Sequence, residues 1–289
     1  MLTALLKTMR PHHWTKNAFI FAALVFDGKL FVLPDFLHTL AGFGLFCLIS
    51  SAVYIFNDLF DLDADRQHPV KRDRPLASGK LAVPVAIAAG SILTFVTLAL
   101  GYWLAWQFDL VLLVYFAMIL AYSKWLKRIP ILDVLIIATG FVLRIHAGTT
   151  LITVERFSPW MYVVMTLLAL YLGFGKRRAE LVLLAKEAGS HRRVLEGYTL
   201  PLLDQFITIV SGTTIVAYSM YTFFRPDAPS GHTLMLTIPF VVYAIFRYLY
   251  LIQVKNIGGA PEEVLLSDHP LQIAILLWGL AILAVFYLS

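Results

Sequence analysis

Four oxygen-bearing side chains lie close together where an apolar run ends: Asn57, Asp58, Asp61 and Asp65. If the helix predicted for that run continues, at about 100° per residue, spacings of three and four put them on one face. Stacked carboxylates repel one another, so a positive group should lie among them. An all-oxygen ligand set suits a hard cation, Mg²⁺ before Ca²⁺, shared with a substrate's phosphates. The sequence therefore predicts a magnesium and phosphate site, with Asp63 pointing away from it.

Cationic side chains follow these acids directly, as expected if one ligand has both a metal-bridged diphosphate and further anionic oxygens. Arg66, Lys71 and Arg74 are the candidates for phosphate contacts. Arg72 and Lys80 are interpreted instead as loop cations that set topology and bind anionic lipid. The alternative for the whole segment is a solvated, charged loop at a membrane edge.

Two later segments offer further charged candidates. Lys127 is predicted to hold a phosphate, and Asp133 to face the metal or a ribose hydroxyl. Lys176 and Arg177 are predicted to bind an anion, although a role in topology would also account for these cations.

One arginine is predicted inside the membrane. Arg144 comes eleven residues after Asp133, which returns it to nearly the same helix face roughly 16 Å deeper. Intramembrane arginines face the bundle interior and have a partner. Here the alternatives are a lipid phosphate and a structural acid or carbonyl. His146 and Cys47 are interpreted as interior residues without a chemical role.

The elements that must position these residues are membrane helices. The chain has 289 residues, of which 60% are hydrophobic and 14% charged, and its mean hydropathy is +0.78. Average soluble domains have about 45–50% apolar and about 25% charged residues. The composition therefore excludes a soluble protein and a disordered one. A single cysteine excludes a disulfide framework and a multi-thiolate metal site.

Nine apolar stretches are predicted to cross the membrane as helices, because backbone amides in lipid must be paired within the protein. They are residues 17–33, 36–56, 84–106, 109–122, 131–152, 158–175, 199–224, 233–252 and 270–288. No internal repeat or long linker separates them, so they are predicted to form a single all-α domain over residues 1–289.

The positive residues are distributed unevenly between the two ends of these stretches. All but four of the 23 Lys and Arg residues fall before the first stretch, in alternate loops or, for Arg247, near the end of the eighth stretch; the exceptions are Lys29, Arg144, Arg156 and Arg225. Under the positive-inside rule the side rich in Lys and Arg is cytoplasmic. The sequence thus predicts a multi-pass protein of the cell (inner) membrane whose amino terminus and active site are cytoplasmic.

The acidic motif resembles that of a known enzyme family. Asn57-Asp58-x-x-Asp61-x-x-x-Asp65 after an apolar helix, in a chain with nine predicted spans, is similar to the UbiA superfamily of intramembrane prenyltransferases. The resemblance covers nearly the whole chain. It implies a helical bundle with a central cavity open to the cytoplasmic side, in which Mg²⁺ bridges the acidic motif to a diphosphate.

Three further motifs resemble one branch of that superfamily, the decaprenyl-phosphate phosphoribosyltransferases. They are Arg-Pro-x-x-Trp-x-Lys-Asn at 10–17, His-Pro-x-Lys-Arg-x-Arg-Pro at 68–75 and Gly-Lys-Arg-x-x-Glu at 175–180. Superfamily members that use prenyl diphosphates carry a second motif, Asp-x-x-x-Asp, after the fourth span. Here residues 122–127 read Tyr-Ser-Lys-Trp-Leu-Lys, a departure that fits the phosphoribosyl branch.

This branch implies a pentosyl transfer in cell-wall biosynthesis. Phosphoribosyl diphosphate would donate its 5-phosphoribosyl group to a polyprenyl phosphate of the decaprenyl type and release pyrophosphate. Asp58, Asp61 and Asp65 would hold Mg²⁺ with help from Asn57. The residues that would neutralise the donor's phosphates are Lys16, Lys71, Arg74, Tyr122, Lys127, Lys176 and Arg177. The prenyl tail would lie in an apolar groove open to membrane lipids; nucleic acid is not an expected partner, and homo-oligomerisation is left open.

Two other functions fit parts of the pattern. A UbiA-type prenyltransferase would use the same acids to bind a prenyl diphosphate and would prenylate an aromatic or other small acceptor. A transporter would also cluster polar residues inside a bundle, but it predicts acids deep in several spans, whereas these lie at the cytoplasmic edge. The identity of the donor that binds distinguishes the two transferases.

Overall fold

The computed structural model describes residues 1–155, 157–184, 193–224, 232–255 and 261–287. Over these residues the protein is all-α, as predicted, with α-helices joined by turns and 3₁₀ segments. The α-helices are α1 (Leu2–Met9), α2 (Ala22–Phe26), α3 (Leu33–Phe60), α4 (Leu62–Gln67), α5 (Val83–Leu104), α6 (Trp106–Lys124), α7 (Leu132–Thr149), α8 (Trp160–Leu184), α9 (Leu200–Phe224), α10 (Ile238–Gln253), α11 (Pro261–Ser267) and α12 (His269–Tyr287). The 3₁₀ segments are Pro11–Phe21, Lys71–Asp73, Leu126–Arg128, Arg193–Gly197 and Thr233–Thr237.

Two compact units divide the chain. The first comprises Met1–Lys127 and Leu143–Val154, and the second comprises Arg128–Val142 and Glu155–Ser289. Helix α7 therefore contributes its first part to the second unit and its last part to the first. A single domain over residues 1–289 stays a prediction.

Each unit has its own apolar core. In the first unit Ile20 of the first 3₁₀ segment packs with Phe46 of α3 and Leu112 of α6, and all three are fully buried. In the second unit the core includes Leu203 of α9 and Tyr171 of α8, whose hydroxyl donates to the Ile245 carbonyl at 2.8 Å. Bonding of that hydroxyl matters because an unpaired polar group would be costly to bury.

Seven elements in the described parts of the chain are long and apolar enough to cross a membrane: α3, α5, α6, α7, α9, the segment Thr233–Gln253, and α12. Their large apolar side chains also point away from the protein; on α5, for example, Phe95 is 74% exposed and Trp103 is 88% exposed. Such surfaces are stable against lipid and not against water. The chain is therefore a multi-pass membrane protein.

The first predicted stretch, residues 17–33, is not one continuous helix. The first 3₁₀ segment continues to Phe21, and α2 then ends at Phe26. The chain turns at Gly28, whose φ of +77° is a conformation that glycine adopts without steric cost. Asp27 is buried there beside the Lys29 ammonium at 3.4 Å, so the helix ends at the polar residues that interrupt the apolar run in the sequence.

The sixth predicted stretch, residues 158–175, overlaps α8, which begins at Trp160 and continues beyond the end of the stretch. The helix has 25 residues and continues through the charged segment that begins at Lys176. Because of these charges α8 is not among the seven apolar spans, and the predicted count of nine is not confirmed.

Candidate active site

The carboxylates of the acidic motif lie at the end of α3. This helix has 28 residues and is therefore about 42 Å long, against about 30 Å for the hydrocarbon core of a bilayer. The predicted uninterrupted helix is wrong in one respect, since α3 ends at Phe60 and α4 begins at Leu62. Backbone hydrogen bonds with helical spacing still cross the junction. The Asp61 amide donates to the Asn57 carbonyl, and the Asp65 amide donates to the Asp61 carbonyl. The predicted spacing therefore survives the break.

Arg74 lies between two of these carboxylates. Its Nη1 donates to Asp65 Oδ2 at 2.7 Å and to Asp58 Oδ1 at 3.2 Å. The carboxylate side chains are only 5% and 3% exposed, whereas that of Arg74 is 27% exposed. Burying two carboxylates without a cation would be strongly unfavourable. The positive group expected among the acids is thus supplied by the protein's own chain.

Arg10 provides a second cation at the same position. Its Nη2 donates to Asp58 Oδ1 at 2.5 Å, and its guanidinium carbon lies 4.9 Å from the centre of the Tyr54 ring. The sequence reasoning selected Lys16 from the amino-terminal motif and missed Arg10. The signal was present, because Arg10 opens that motif.

Lys127 binds the third carboxylate. Its ammonium donates to Asp61 Oδ1 at 2.5 Å, and both side chains remain partly exposed, at 22% and 28%. Two residues predicted for one site from separate parts of the sequence thus lie in direct contact.

Other predicted members of the site differ in their exposure. Arg66 pairs with Asp63 at 3.6 Å on an exposed surface. Lys71 is exposed; the half-buried residues are Lys16, Asn57, Tyr122 and Lys176. Their roles toward phosphates or metal stay predictions.

Side chains of the amino-terminal motif contact residues of α3 that precede the acidic motif in the sequence. Trp14 Nε1 donates to Ser51 Oγ at 3.0 Å. The Asn17 amide nitrogen lies 3.1 Å from Ser50 Oγ and 3.3 Å from Cys47 Sγ. A 3₁₀ segment of eleven residues is unusually long, because its hydrogen-bond geometry is poorer than that of an α-helix. These side-chain bonds hold it against α3.

Arg144 lies at the far end of this set of contacts. Its Nε donates to Asn17 Oδ1 at 2.8 Å and its Nη2 to the Tyr115 hydroxyl at 2.9 Å. The guanidinium also lies over the rings of Tyr115 and Phe46, at 4.9 and 5.3 Å. Arg144 is 8% exposed. It therefore faces the interior, and the described contacts include an amide oxygen, a hydroxyl and two aromatic faces.

The second unit has its own buried ionic group, centred on Asp133. This residue is fully buried; its Oδ2 accepts from Arg177 Nε and its Oδ1 from the Tyr198 hydroxyl, each at 2.7 Å. Arg177 Nη1 also donates to Glu180 at 2.7 Å. The structure thus brings together Asp133 and Arg177, which were predicted separately, in a buried ion pair. A catalytic role for Asp133 stays a prediction.

Tyr198 is a residue that the sequence reasoning missed. Its oxygen also accepts the backbone N–H of Ile131 at 2.5 Å, and Ile131 has a φ of +70°, which is unusual for a β-branched residue. Burial, and then the hydrogen bond to Asp133, raise the pKa of Tyr198 above the usual tyrosine value. Tyr198 lies outside every charged motif, so no sequence pattern distinguished it.

The acidic motif has the right donor chemistry for Mg²⁺. In the part of the chain that the structure describes, no three His, Cys, Asp or Glu residues are grouped closely enough to hold a metal ion. However, Asp58 and Asp65 point at one positively charged nitrogen, so their oxygens already share a position that favours a cation. Carboxylate oxygens are the ligands that Mg²⁺ prefers. These carboxylates fit the ion if it replaces the arginines that now bind them.

Comparison with known sequences places this arrangement in a family. The sequence model of the UbiA prenyltransferase family matches residues 18–265. A decaprenyl-phosphate phosphoribosyltransferase from Mycolicibacterium smegmatis is 34% identical over 100% of this chain and 94% of its own length. Enzymes of the same name are 34% identical in Corynebacterium glutamicum, over 98% of this chain and 87% of the relative, and 32% identical in Mycobacterium tuberculosis H37Rv, over 96% and 92%.

Solved structures share the fold. A UbiA homologue from Archaeoglobus fulgidus bound to DMAPP and Mg²⁺ has a TM-score of 0.72 and 19% identity, covering 99% of both chains. The same homologue bound to GPP and Mg²⁺ has a TM-score of 0.73 at 19% identity, covering 98% of this chain and 99% of the homologue. A digeranylgeranylglyceryl phosphate synthase has a TM-score of 0.71 and 17% identity, covering 100% of this chain and 99% of the synthase.

Proposed function

Because this chain belongs to the UbiA prenyltransferase family, we propose that it transfers the 5-phosphoribosyl group of phosphoribosyl diphosphate to a polyprenyl phosphate. Decaprenyl-phosphate phosphoribosyltransferases from two species match it over 94% and 87% of their own length. The structural observation that carries the proposal is the ion pair of Lys127 with Asp61. A cation faces the acidic motif from the segment where prenyl-diphosphate enzymes would carry more aspartates. Phosphoribosyl diphosphate has one phosphate more than a prenyl diphosphate. A site for it is therefore favoured by a cation in place of those aspartates.

The proposed reaction is a substitution at the anomeric carbon of the ribose. The bond from that carbon to the diphosphate oxygen breaks, and its electron pair leaves with the diphosphate. An oxygen of the polyprenyl phosphate forms the new bond; because it is already an anion, no general base is needed. Negative charge grows on the leaving oxygens, so cations fixed there stabilise the transition state more than the bound donor.

Particular side chains fit these tasks. Asn57, Asp58, Asp61 and Asp65 would hold Mg²⁺, which neutralises the departing diphosphate when bound. The proposed phosphate contacts are Lys16, Arg66, Lys71, Arg74, Tyr122, Lys127, Lys176 and Arg177. For Arg177 the buried bond to Asp133 supports an indirect contribution, in which Asp133 positions the arginine and its neighbour Lys176.

The acceptor is proposed to lie along the membrane-spanning part of the protein. Arg144 is proposed to attract its phosphate, and the prenyl tail to lie against apolar helix faces open to lipid. The amino terminus and the donor site are proposed to be cytoplasmic, in the inner membrane, with α8 and the residues around α2 completing nine membrane segments.

The test is an assay of purified protein in detergent with Mg²⁺, phosphoribosyl diphosphate and a polyprenyl phosphate. Pyrophosphate release and the mass of the lipid product are followed together. We expect the lipid to gain one phosphoribosyl unit, and Asp61→Asn to abolish the gain. Asp63→Asn is the matched control, since Asp63 has a 93% exposed side chain. Turnover of a prenyl diphosphate with an aromatic acceptor, and none of phosphoribosyl diphosphate, would refute the proposal.

A further inference from the structure

Arg10 has a backbone conformation that its side chain does not favour. It lies between α1 and the first 3₁₀ segment with φ 53° and ψ 59°, in the left-handed region. Helices often end on such a residue, but it is usually glycine, because a Cβ atom is crowded there. An unfavourable conformation of this kind persists only where the surrounding structure fixes it, and such positions cluster at functional sites.

The guanidinium of Arg10 reaches the acidic motif. It binds Asp58 Oδ1 at 2.5 Å and lies over the ring of Tyr54, one helical turn earlier on the same face of α3. The Arg10 side chain is 19% exposed, while that of Asp58 is 3% exposed. A ligand can therefore approach the arginine more easily than the carboxylate.

Asp58 Oδ1 has a second cationic partner in Arg74, at 3.2 Å. Lys127 binds Asp61, so the described contacts match the three carboxylates of the motif with three cations. A metal ion added to this balanced group would leave an excess of positive charge. A metal ion that arrives with a diphosphate would not, because the anion gives the displaced cations a new partner.

We propose that Arg10 is a diphosphate-binding residue, which exchanges Asp58 for the donor's diphosphate when donor and metal bind. The proposal deepens the proposed function, on which it rests for the presence of a diphosphate donor. One carboxylate oxygen cannot both accept two guanidinium groups and coordinate a metal. Released from Asp58, the guanidinium stays close because its backbone is fixed, and its planar donor geometry matches phosphate oxygens.

Equilibrium binding tests this exchange without turnover. The probes are Mn²⁺ alone, followed by electron paramagnetic resonance, and inorganic pyrophosphate in the presence of Mn²⁺. Arg10→Gly removes the guanidinium and suits the left-handed backbone; Arg10→Lys keeps the charge without the planar donor group. Arg72→Ala is the control, since it removes an exposed arginine of the following loop.

We expect Arg10→Gly to weaken pyrophosphate binding by about tenfold or more. The affinity for Mn²⁺ alone should be unchanged or higher, because Asp58 loses a competing cation. A merely structural role would weaken both together and lower the melting temperature. Arg72→Ala should change neither affinity.

The proposal is wrong if Arg10→Gly binds pyrophosphate within about twofold of the unmodified protein, or if its affinities for Mn²⁺ and pyrophosphate fall in parallel. If Arg10→Gly does not fold, Arg10→Lys decides by the same comparison. Pyrophosphate is the leaving group of phosphoribosyl and prenyl diphosphates alike. The outcome is therefore independent of which donor the enzyme uses.

Discussion

Asp61 and Lys127 are 66 residues apart in the sequence, and their side chains meet at 2.5 Å. The contact joins the end of α3 to the 3₁₀ segment that follows α6. It places an ammonium group against the acidic motif at a partly exposed position, where a phosphate could replace the carboxylate as its partner. Altering this pair therefore tests the proposed donor site directly.

Lys127→Met should lower kcat/KM for phosphoribosyl diphosphate by about 10²-fold, the usual effect of removing one group that stabilises developing negative charge. Initial rates of pyrophosphate release measure this. Lys124→Met is the control, because Lys124 is exposed and lies over the Trp125 ring. Equal rates for Lys127→Met and the unmodified enzyme would remove Lys127 from the donor site.

Tyr198→Phe should reduce stability by about 1–3 kcal/mol, because it removes the hydroxyl that donates to Asp133 Oδ1 and accepts the Ile131 amide. The difference should depend on pH. Burial and the bond to Asp133 raise the pKa of Tyr198 in the folded protein. The contribution of the neutral Tyr198 hydroxyl to the free energy of unfolding is therefore complete below the unfolded-state pKa of about 10. It is lost as the pH rises through the pKa of the folded protein.

Thermal unfolding in detergent between pH 7 and the alkaline limit of the protein measures the effect of Tyr198→Phe. Tyr102→Phe on α5 is the control, since Tyr102 is 66% exposed. A stability difference that does not shrink at high pH would contradict the assigned role of the hydroxyl.

Asp268 offers a test in the acid range. It pairs with Arg247 at 2.8 Å and accepts the Leu271 amide at 2.9 Å, at the start of α12. The hydrogen bond from Arg247, followed by that from the Leu271 amide, lowers the pKa of Asp268. Its stabilising contribution is therefore complete above the unfolded-state pKa of about 3.9 and is lost as the pH falls through the lower folded value.

Two substitutions separate the parts of Asp268's contribution. Asp268→Asn keeps a capping oxygen but loses the ion pair, and should abolish this part of the pH dependence. Asp268→Ala also loses the cap and should cost about 1 kcal/mol more. The measurement is the midpoint of thermal unfolding from pH 3 to pH 7. Identical pH profiles for Asp268→Asn and the unmodified protein would exclude the ion pair as the cause.

Gly148→Ala should destabilise the first unit. A Cβ at Gly148 would lie 2.0 Å from the backbone oxygen of Ile20, so the first 3₁₀ segment would have to shift. Forced overpacking of this kind costs about 1–3 kcal/mol. Gly212→Ala on α9 is the control, since its Cβ would meet nothing within 4 Å and alanine favours a helix. Unfolding midpoints that fall equally for both would show that the close contact is unimportant.

The sequence predicted the features that depend on local spacing. The repeat of three and four residues in the acidic motif placed Asp58 and Asp65 toward one cation, even though the helix is interrupted at Asp61. The long apolar runs predicted the spans for the same reason, because length and composition alone decide them.

The partners of these residues could not be predicted in the same way. Arg10 and Asp58 are 48 residues apart, and Tyr198 and Asp133 are 65 apart, so nothing in either local pattern indicates the other. The long 3₁₀ segment before α2 was also missed. The bonds from Trp14 and Asn17 to α3 that hold it join residues distant in the sequence.

The contacts of Arg144 have a consequence for membrane insertion during synthesis. Asn17, Phe46 and Tyr115, which receive its guanidinium, all precede it in the chain. A ribosome that releases the chain from its amino terminus therefore delivers these partners to the bilayer before the arginine. The nascent α7 can therefore bring the Arg144 charge directly to acceptors that are already in the membrane.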